Sequence, residues 1–419
     1  MKVTQVVVTP VAFADPPLLN SVGVHEPFAI RAVVQVHTDE GLTGLGETYG
    51  DDGHVAMLEA VARALPGTDP FDTSAIVRIT AQTLGSATVR ADLHGLTGAA
   101  TPPKTLASVV SPFEVAFFDI VGKAIGRPVV DLLGGPIRTE VPFSAYLFYK
   151  WAAHPGSDDD AWGAALDAEG IVAQAHRMVD LYGFDSIKLK GGVLHADDEA
   201  DAVEALRVEF PSHPLRIDPN AAWDVPTSIR IGRRLDGVLE YLEDPTRGIP
   251  AMAEVHRDVP MPLATNMCVV AFEHIPESVR LDAVQVILSD HHYWGGLRAS
   301  QHLASIADTF GIGLSMHSNS HLGISLAAMV HLAAATPNLN YDLDTHWPWK
   351  RADEDVITHP FSFSGGKLTV PSTPGLGIEL DPDALARLHE QYLTSGIKRR
   401  DDAGYIKRVA PDWVLRPGL

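Results

Sequence analysis

The sequence predicts an α/β protein: a (β/α)₈-type TIM barrel with an N-terminal α+β capping domain that the C-terminal segment completes. Two observations lead to this fold. Short apolar runs that end in a polar residue alternate with helical stretches, and a different pattern precedes them. From Lys190 to His346 the polar ends are 28, 25, 23, 24, 27 and 29 positions apart. A βα unit needs roughly 25–30 residues, so this spacing indicates one repeated unit.

The first 135 residues lack this repeat and are predicted to form the capping domain, 1–135. Val3 to Thr9 is typical of a strand, AIRAVVQVHTDEG predicts a second, and GLTGLGETYG predicts a turn and a return strand. Residues 53–135 are predicted to be mostly helical. Within them SPFEVAFFDIVGKAIG carries apolar residues at helical spacing and ends at a glycine.

The barrel is predicted over residues 136–360. The run VPFSAYLFYK precedes seven others, which gives eight strands. The seven are SIKLKGG, LRIDPN, LEYLEDP, PLATN, AVQVILSD, GIGLSMHSN and NLNYDLDTHW. An open doubly wound sheet is the alternative, but no glycine-rich phosphate-binding pattern follows the first strand. Glycine, proline and charged residues dominate after about 360, and we expect residues 361–419 to pack back on the capping domain.

Composition excludes several classes of function. The 419 residues include 32 basic and 53 acidic ones, and a net charge of −21 disfavours nucleic acid and anionic membranes as partners. No apolar run reaches the ~18 residues of a membrane helix, and no signal peptide is evident at the start. Cys268 is the only cysteine, so no intrachain disulfide can form, and we expect a cytoplasmic protein.

Oxygen-bearing side chains end three consecutive predicted strands. Asp218, Glu243 and Asn266 supply two carboxylates and one amide carbonyl, which are the hard ligands that Mg²⁺ prefers. The set contains neither the thiolates nor the several imidazoles typical of zinc. Each residue alone would be read as a turn or cap residue. Their joint spacing at one face of the barrel predicts a Mg²⁺ site.

Two lysines lie two positions apart on the first strand of the repeat. Because strand side chains alternate, the ammonium groups of Lys188 and Lys190 point the same way. Like charges and a nearby metal are expected to lower the lysine pKa, which would suit a general base. A solvated edge strand is the competing interpretation, and the flanking Ile187 and Leu189 weaken it.

An acid–base pair is predicted across the barrel. Asp290 and His317 end consecutive strands, and a carboxylate that orients an imidazole raises its basicity. Removal of the α-proton of a carboxylate gives an enediolate, which a divalent cation and a lysine can stabilise. A metal with bases on both sides therefore predicts α-proton chemistry.

These residues resemble the enolase superfamily, specifically glucarate dehydratases of the mandelate racemase-like branch. The resemblance covers nearly the whole chain, in IKLKGGVL, IDPNAAW, EDP, PLATNM, HSNSHLGISLA, DTHW and the late PGLGIELD and RRDDA. A Lys-x-Lys with an asparagine as third ligand is quite specific, since other branches mostly use Asp or Glu there.

The resemblance implies a role for each residue. Lys190 would be the base for one face of the substrate. His317, assisted by Asp290, would serve the other face and protonate the leaving hydroxyl. Lys188 and Asn220 would bind the carboxylate or stabilise the enediolate, and Asp218, Glu243 and Asn266 would hold Mg²⁺. The substrate's distal end would meet a set comprising His25, Tyr146, Ser318, Asn319, His346 and Arg400. His25 lies in NSVGVHEPF, which would close over the mouth as a lid.

The chain also departs from this family. Glucarate dehydratases carry a longer insert after the Glu-Asp-Pro strand, whereas here EDPTRGIPAMAE lacks it and brings in Arg247. The family's Pro-His-Phe-Trp reads His-His-Tyr-Trp from His291, and its acidic residue after His-Ser is Asn319. These changes lie near the distal end of the substrate, so they put substrate identity in doubt more than mechanism.

The predicted function is a hydro-lyase. A Mg²⁺-dependent acid-sugar dehydratase, acting on glucarate, would abstract the proton α to a carboxylate held by the metal and eliminate water to a keto-deoxy diacid. The alternatives are an epimerase or racemase, a dehydratase of galactarate, idarate or talarate, and a weakly active paralogue. The expected partners are a small-molecule diacid sugar and further copies of the chain in a homo-oligomer.

Overall fold

The computed structural model describes residues 1–85 and 102–413, and it confirms the predicted α/β barrel with a capping domain. The part of the helical prediction that falls on 86–101, and the end of the C-terminal segment at 414–419, lie outside the described residues.

The N-terminal region is a three-stranded antiparallel sheet covered by helices. Its strands pair in the order β1-β2-β3, and valines at alternating positions of β2 enter the core under the helices. The elements are β1 (Val3–Ala14), β2 (Phe28–Thr38), β3 (Thr43–Tyr49), α1 (Asp52–Ala62), α2 (Thr73–Leu84), α3 (Pro102–Ile125) and α4 (Val129–Leu132). As expected, α3 ends before a glycine, Gly126, whose φ is +70°.

Helix α3 is unusually apolar. Among the residues that the structure describes, Lys104–Ile125 alone meets the length and composition of a membrane span, with a mean hydropathy of 1.4. However, 83% of that window is buried inside the protein, against β3 and α2. The apolar surface of α3 is therefore core.

The barrel region contains seven parallel strands in sequential order. They are β5 (Ala145–Phe148), β6 (Ile187–Lys190), β7 (Leu215–Asp218), β8 (Tyr241–Glu243), β9 (Leu263–Thr265), β10 (Val286–Ser289) and β11 (Gly313–Met316), preceded by β4 (Glu140–Pro142). The helices between them are α5 (Ala168–Tyr182), α6 (Ala196–Glu209), α7 (Val225–Arg234), α8 (Ile249–His256), α9 (Ile275–Leu281), α10 (His291–Trp294), α11 (Leu297–Thr309) and α12 (Gly323–Ala335).

The predicted eighth strand is the one departure from this plan. Segment 339–344 pairs only at single residues, Leu339 with Leu314 and Leu343 with Phe143. The side chain of Asn340 accepts a bond from the Leu314 amide (3.4 Å), which replaces a regular ladder bond. The segment still bonds to both neighbours and closes the ring of strands, although it is not a continuous strand.

Two buried glutamates join the capping domain to the barrel. Glu114 of α3 accepts from the amide of Leu297 (2.5 Å) at the start of α11. Glu47 of β3 accepts from Leu322 (2.9 Å) and Ser325 (2.8 Å) at the start of α12. Amides at the amino ends of helices lack partners within the helix, so their hydrogen bonds to the two glutamates stabilise this docking.

The C-terminal residues lie against both regions. Strand β12 (Lys367–Thr369) pairs antiparallel with β4, and α13 (Pro382–Ser395) packs on β1. In that contact His389 Nδ1 lies 2.7 Å from the Pro10 carbonyl. A last helix, α14 (Asp402–Val409), follows. The division into 1–135, 136–360 and 361–419 stays a prediction.

Candidate active site

The carboxyl ends of the parallel strands gather the polar residues singled out from the sequence. Three of these residues end β6, β7 and β8, and three follow β9, β10 and β11 directly: Lys190, Asp218, Glu243, Asn266, Asp290 and His317. In a ring closed by segment 339–344, β6 and β10 are four positions apart. Lys190 and Asp290 therefore enter the mouth from opposite sides.

Lys190 is held by its neighbours on β7. Its ammonium lies 2.6 Å from Asp218 Oδ2 and donates to Asn220 Oδ1 at 2.9 Å. The backbone of Asn220 has φ +58°, which turns the chain back so that its amide donates to Asp218 Oδ1 (2.8 Å). Asparagine tolerates this left-handed conformation, and the sharp turn places both side chains on one lysine.

Lys188 is completely buried between carboxylates. Its ammonium lies 2.5 Å from Glu243, 2.7 Å from Asp344 and 3.8 Å from Asp218. Burial lowers the pKa of Lys188, but the carboxylates, Asp344 first, outweigh it and raise the pKa well above its ordinary value. The expectation of a lowered pKa is wrong for Lys188, because its nearest neighbours are anions. Asp344 was missed in the sequence, although it lies two positions before His346 in the closing segment.

The three predicted metal ligands lie together. The Asn266 amide nitrogen donates to Glu243 Oε1 (2.9 Å), which turns the amide oxygen away from that carboxylate oxygen. Burial raises the pKa of Glu243 well above its usual range. Four neighbouring carboxyl groups, Asp218, Glu243, Asp244 and Asp344, share only two ammonium groups, so full ionisation would leave an excess of two negative charges. Oxygen donors with that excess fit a divalent cation.

Asp244 is a site residue that sequence analysis did not single out. It is fully buried, and its carboxylate accepts from the amides of Asn266 (2.7 Å) and Met267 (3.1 Å). Its own carbonyl accepts from the Ala221 amide at 2.6 Å. A φ of +36° in a non-glycine residue makes these bonds possible. Burial raises the pKa of Asp244 to about 7. Asp244 joins the turns that follow β7, β8 and β9.

The imidazole side of the mouth is built around Asp290. Its Oδ2 lies 3.1 Å from His317 Nδ1, and its Oδ1 lies 2.6 Å from His292 Nδ1. Burial raises the pKa of Asp290, but the two histidines outweigh it and bring the pKa well below its usual value. The predicted Asp290–His317 contact is therefore present, and His292 is a second partner that the sequence did not indicate.

Asp290, His291 and His292 bring ligand atoms within 4.8 Å of one another, which is a spacing that metals accept. However, both ring nitrogens of His292 are engaged. Nδ1 meets Asp290, and Nε2 lies 2.9 Å from the Arg31 guanidinium. A cation beside a permanently charged guanidinium would be repelled, so this cluster is not a metal site.

The distal set divides into two groups. In the first, Ser318 Oγ lies 3.0 Å from His346 Nδ1, and the rings of His346 and Tyr146 are 5.0 Å apart. Burial brings the pKa of His346 well below its usual value, so this ring is neutral at pH 7. In this structure His346 is therefore a hydrogen-bonding group and not a source of positive charge.

In the second group, Arg400 is a partly buried cation that is already paired. Its Nη2 lies 2.7 Å from Asp402, and its pKa is raised although burial alone would lower it. His25 Nδ1 lies 3.0 Å from Asp15. Asn319 lines one small cavity together with Arg400 and Asp15. The distal end of the mouth therefore contains both signs of charge.

The predicted lid loop packs over the mouth in this structure. Leu18, Leu19 and His25 are buried, and Asn220 Nδ2 donates to Ser21 Oγ at 3.2 Å. At Gly23 any Cβ would lie 2.2 Å from the Asp402 carbonyl oxygen, so only glycine permits this approach.

Arg247, which occupies the shortened loop, is exposed and donates to the Ala221 carbonyl at 3.2 Å. It lines a cavity of about 260 Å³ on the outer side of Asp244, away from the two lysines.

Comparison with known families gives two matches. Residues 2–134 match the N-terminal domain of the mandelate racemase / muconate lactonizing enzyme family. Residues 170–384 match the family described as enolase C-terminal domain-like.

Individual relatives are similar along their whole length. A probable glucarate dehydratase of Streptomyces coelicolor is 50% identical, over 99% of this chain and 97% of the relative. A Thermobispora bispora enolase structure, complexed with magnesium and formate, has a TM-score of 0.97, 58% identity and coverage of 100% and 99% of the two chains. A Mycobacterium smegmatis enolase structure, complexed with tartrate, has a TM-score of 0.95, 60% identity and coverage of 100% and 98%.

Proposed function

We propose that this chain, which belongs to the enolase superfamily in its mandelate racemase and glucarate dehydratase branch, is a Mg²⁺-dependent dehydratase of acid sugars. Glucarate is the proposed substrate. The observation that carries the proposal is one barrel mouth with a lysine–carboxylate cluster on one side and an Asp290–His317 pair on the other. The name of the S. coelicolor relative and the tartrate, a hydroxy diacid, in the M. smegmatis enzyme support this reading.

Asp218, Glu243 and Asn266 would hold the divalent ion, since their oxygens line the excess of negative charge. When bound, the ion would lower the energy of negative charge on a substrate carboxylate. Lys188, which is buried and cationic, would add a fixed positive charge beside that carboxylate.

The proton steps fall to groups on opposite faces. Lys190 or His317 would take the α-proton, according to the configuration of the substrate at that carbon. His317 would then give a proton from Nε2 to the β-hydroxyl, which leaves as water. This proton would be the α-proton where His317 has taken it, and one bound before the reaction where Lys190 is the base. The resulting enol would tautomerise to the keto acid. Asp290 would keep His317 in the orientation and tautomer that this requires.

The same two bases could instead exchange the α-proton and return it to the other face. Epimerisation is therefore the second candidate, and a weakly active dehydratase is the third. The specific support for the second is that Lys190 and Asp290 enter from opposite sides of the ring.

One experiment separates these functions. The purified protein is incubated with MgCl₂ and each of D-glucarate, L-idarate, galactarate and talarate in D₂O, and keto acid is trapped with semicarbazide. Semicarbazone formation with one or more substrates would support the dehydratase. Deuterium incorporation with epimer formation and no keto acid would reject it in favour of the epimerase. A silent panel would reject both for these substrates.

Two further parts of the proposal concern the setting of the enzyme. We expect a cytoplasmic protein, because Cys268 is its single cysteine. We also expect a homo-oligomer, which light scattering on the purified protein would test.

A further inference from the structure

Arg31 of the capping domain reaches the acid–base pair of the barrel through one histidine. It is 2% exposed, and its Nε donates to Glu47 Oε1 at 2.9 Å. Its Nη2 lies 2.9 Å from His292 Nε2 and 3.2 Å from Ser325 Oγ. The Glu47 carboxylate accepts from the amides of Leu322 and Ser325 at the start of α12, which is the helix that follows His317. The buried Arg31–Glu47 ion pair therefore contacts the segments that follow both members of the acid–base pair, Asp290 and His317.

The chemistry of arginine fixes the direction of these hydrogen bonds. A guanidinium has five donors and no acceptor, and it does not lose its proton in proteins. His292 Nε2 therefore accepts from Arg31 at 2.9 Å. The Ser325 hydroxyl, which lies 2.8 Å from the same nitrogen, accepts from Arg31 and can itself donate to Nε2, so this arrangement leaves the His292 ring neutral with its proton on Nδ1. That proton lies on the 2.6 Å contact with Asp290 Oδ1, so His292 donates to Asp290.

The same argument about hydrogen-bond direction fixes the position of a proton on His317. Asp290, engaged by His292 at Oδ1, presents Oδ2 to His317 Nδ1 at 3.1 Å. A carboxylate can only accept, so His317 carries a proton on Nδ1. Its Nε2 is then the atom available to exchange a proton with a substrate.

We propose that Arg31 is a positioning residue of the capping domain that sets the tautomers of His292 and His317 through the relay Arg31–His292–Asp290–His317. The relay rests on the function proposed above only for its kinetic consequence. The tautomers themselves are properties of the protein without substrate. Docking of the capping domain on the barrel is therefore required for the correct protonation of His317, in addition to closing the barrel mouth.

The decisive measurement is ¹⁵N–¹H correlation NMR of the full chain labelled with ¹⁵N-histidine, with His292 and His317 assigned by the loss of signals in H292N and H317N. We expect both rings to carry a proton on Nδ1 at pH 7, and His292 to carry none on Nε2. In R31M the His292 ring is expected to leave that single tautomer. A His292 that is an imidazolium or an Nε2–H ring in the native protein would overturn the relay. This readout stands even if no hexarate is a substrate.

The kinetic test is a double-mutant cycle on whichever reaction the substrate panel reveals. Asparagine at 292 keeps a donor near the Nδ1 position but cannot accept from Arg31 in the same way. R31M alone is expected to lower kcat by about tenfold or more, whereas in the H292N background it should cost less than about threefold. Additive losses would mean that Arg31 acts only by holding the domains together, and would reject the relay.

Two variants keep this test valid. R31M leaves Glu47 buried without its partner, so R31M/E47Q removes both charges in case R31M alone does not fold. R63M makes the same chemical change at an exposed arginine after α1, and it should leave the tautomers and kcat unchanged. An R31M/E47Q protein that folds, yet keeps both native tautomers, would also contradict the proposal.

Discussion

The two sides of the barrel mouth solve the problem of burying polar groups in different ways. On the β6–β9 side, four carboxyl groups meet two lysines, and burial, reinforced by the neighbouring carboxylates, raises the pKa of Glu243 and Asp244. On the β10–β11 side, hydrogen bonds compensate one carboxylate, Asp290, and the nearby His346 ring is kept neutral by burial. The first side needs a cation to be stable and ionised, whereas the second side is complete with protein groups alone.

This difference predicts which perturbation will affect each side of the mouth. Metal removal should act on the lysine side and leave the histidine side in place. Changes to hydrogen-bond donors should act on the histidine side and leave the lysine side in place.

Loss of a proposed metal ligand should have the largest consequence. Asp218→Asn keeps the shape of the side chain but removes a charge from the cluster, and we expect kcat/KM to fall by about 10³-fold or more. We expect MgCl₂ to raise the melting temperature of the unmodified protein and not that of the Asp218 variant. Asp236→Asn, at an exposed position, is the control for a general effect of charge. A retained Mg²⁺ shift in the Asp218 variant would place the ion elsewhere.

The two bases should separate by substrate face. With a substrate whose α-proton faces Lys190, His317→Asn should lower water elimination by about 10²- to 10⁴-fold but retain exchange of the α-proton with D₂O. Lys190→Met should lose both exchange and elimination with that substrate. Mass spectrometry of recovered substrate and the semicarbazone assay measure the two rates. Equal loss of exchange in both variants would mean that the two sides do not act independently.

How far the sequence predicts this site follows the same division. The six residues that end or directly follow strands β6 to β11, from Lys190 to His317, were found because strand ends in a barrel converge. Asp344 was missed although NLNYDLDTHW was predicted as a strand, because His346 was taken as the polar residue at its end. The Asp-x-His spacing to His346 was the available signal.

Other features could not be predicted from local pattern at all. Asp244 has a φ of +36° and forms hydrogen bonds to the turns after β7 and β9, and the Glu-Asp-Pro motif specifies neither feature. Arg31 and His292 are 261 positions apart. Their contact depends on how the capping domain docks. The charge states of Lys188 and His346 were likewise set by burial and neighbours that only the folded chain defines.

Asp344 allows a finer test of the lysine side. Its carboxylate is 2.7 Å from Lys188, so Asp344→Asn removes one of the two excess negative charges without touching a proposed metal ligand. We expect Mg²⁺ affinity, measured by calorimetry, to fall by about 10- to 100-fold, as is usual for groups that support metal ligands. The native tautomer of His317 should persist in NMR spectra. A change in that tautomer would show that the two sides are coupled.

The smallest expected effect concerns a carboxyl group behind the histidine side. Burial raises the pKa of Glu114, which caps α11, to about 7, although amide donors at Leu297 and Arg298 oppose the shift. A raised folded-state pKa means that the group stabilises the fold below its ordinary pKa of 4.5 and that this contribution is lost as the pH rises through about 7.

The substitution Glu114→Gln removes this dependence of stability on pH. Relative to the unmodified protein, its free energy of unfolding should therefore gain about 1–2 kcal/mol between pH 5 and pH 8. Urea titrations at the two pH values measure the difference, and Glu59→Gln, an exposed glutamate on α1, should show none. A decrease in the variant's relative free energy of unfolding between pH 5 and pH 8 would mean that Glu114 is ionised in the fold. A fixed negative charge would then lie behind the histidine side as well.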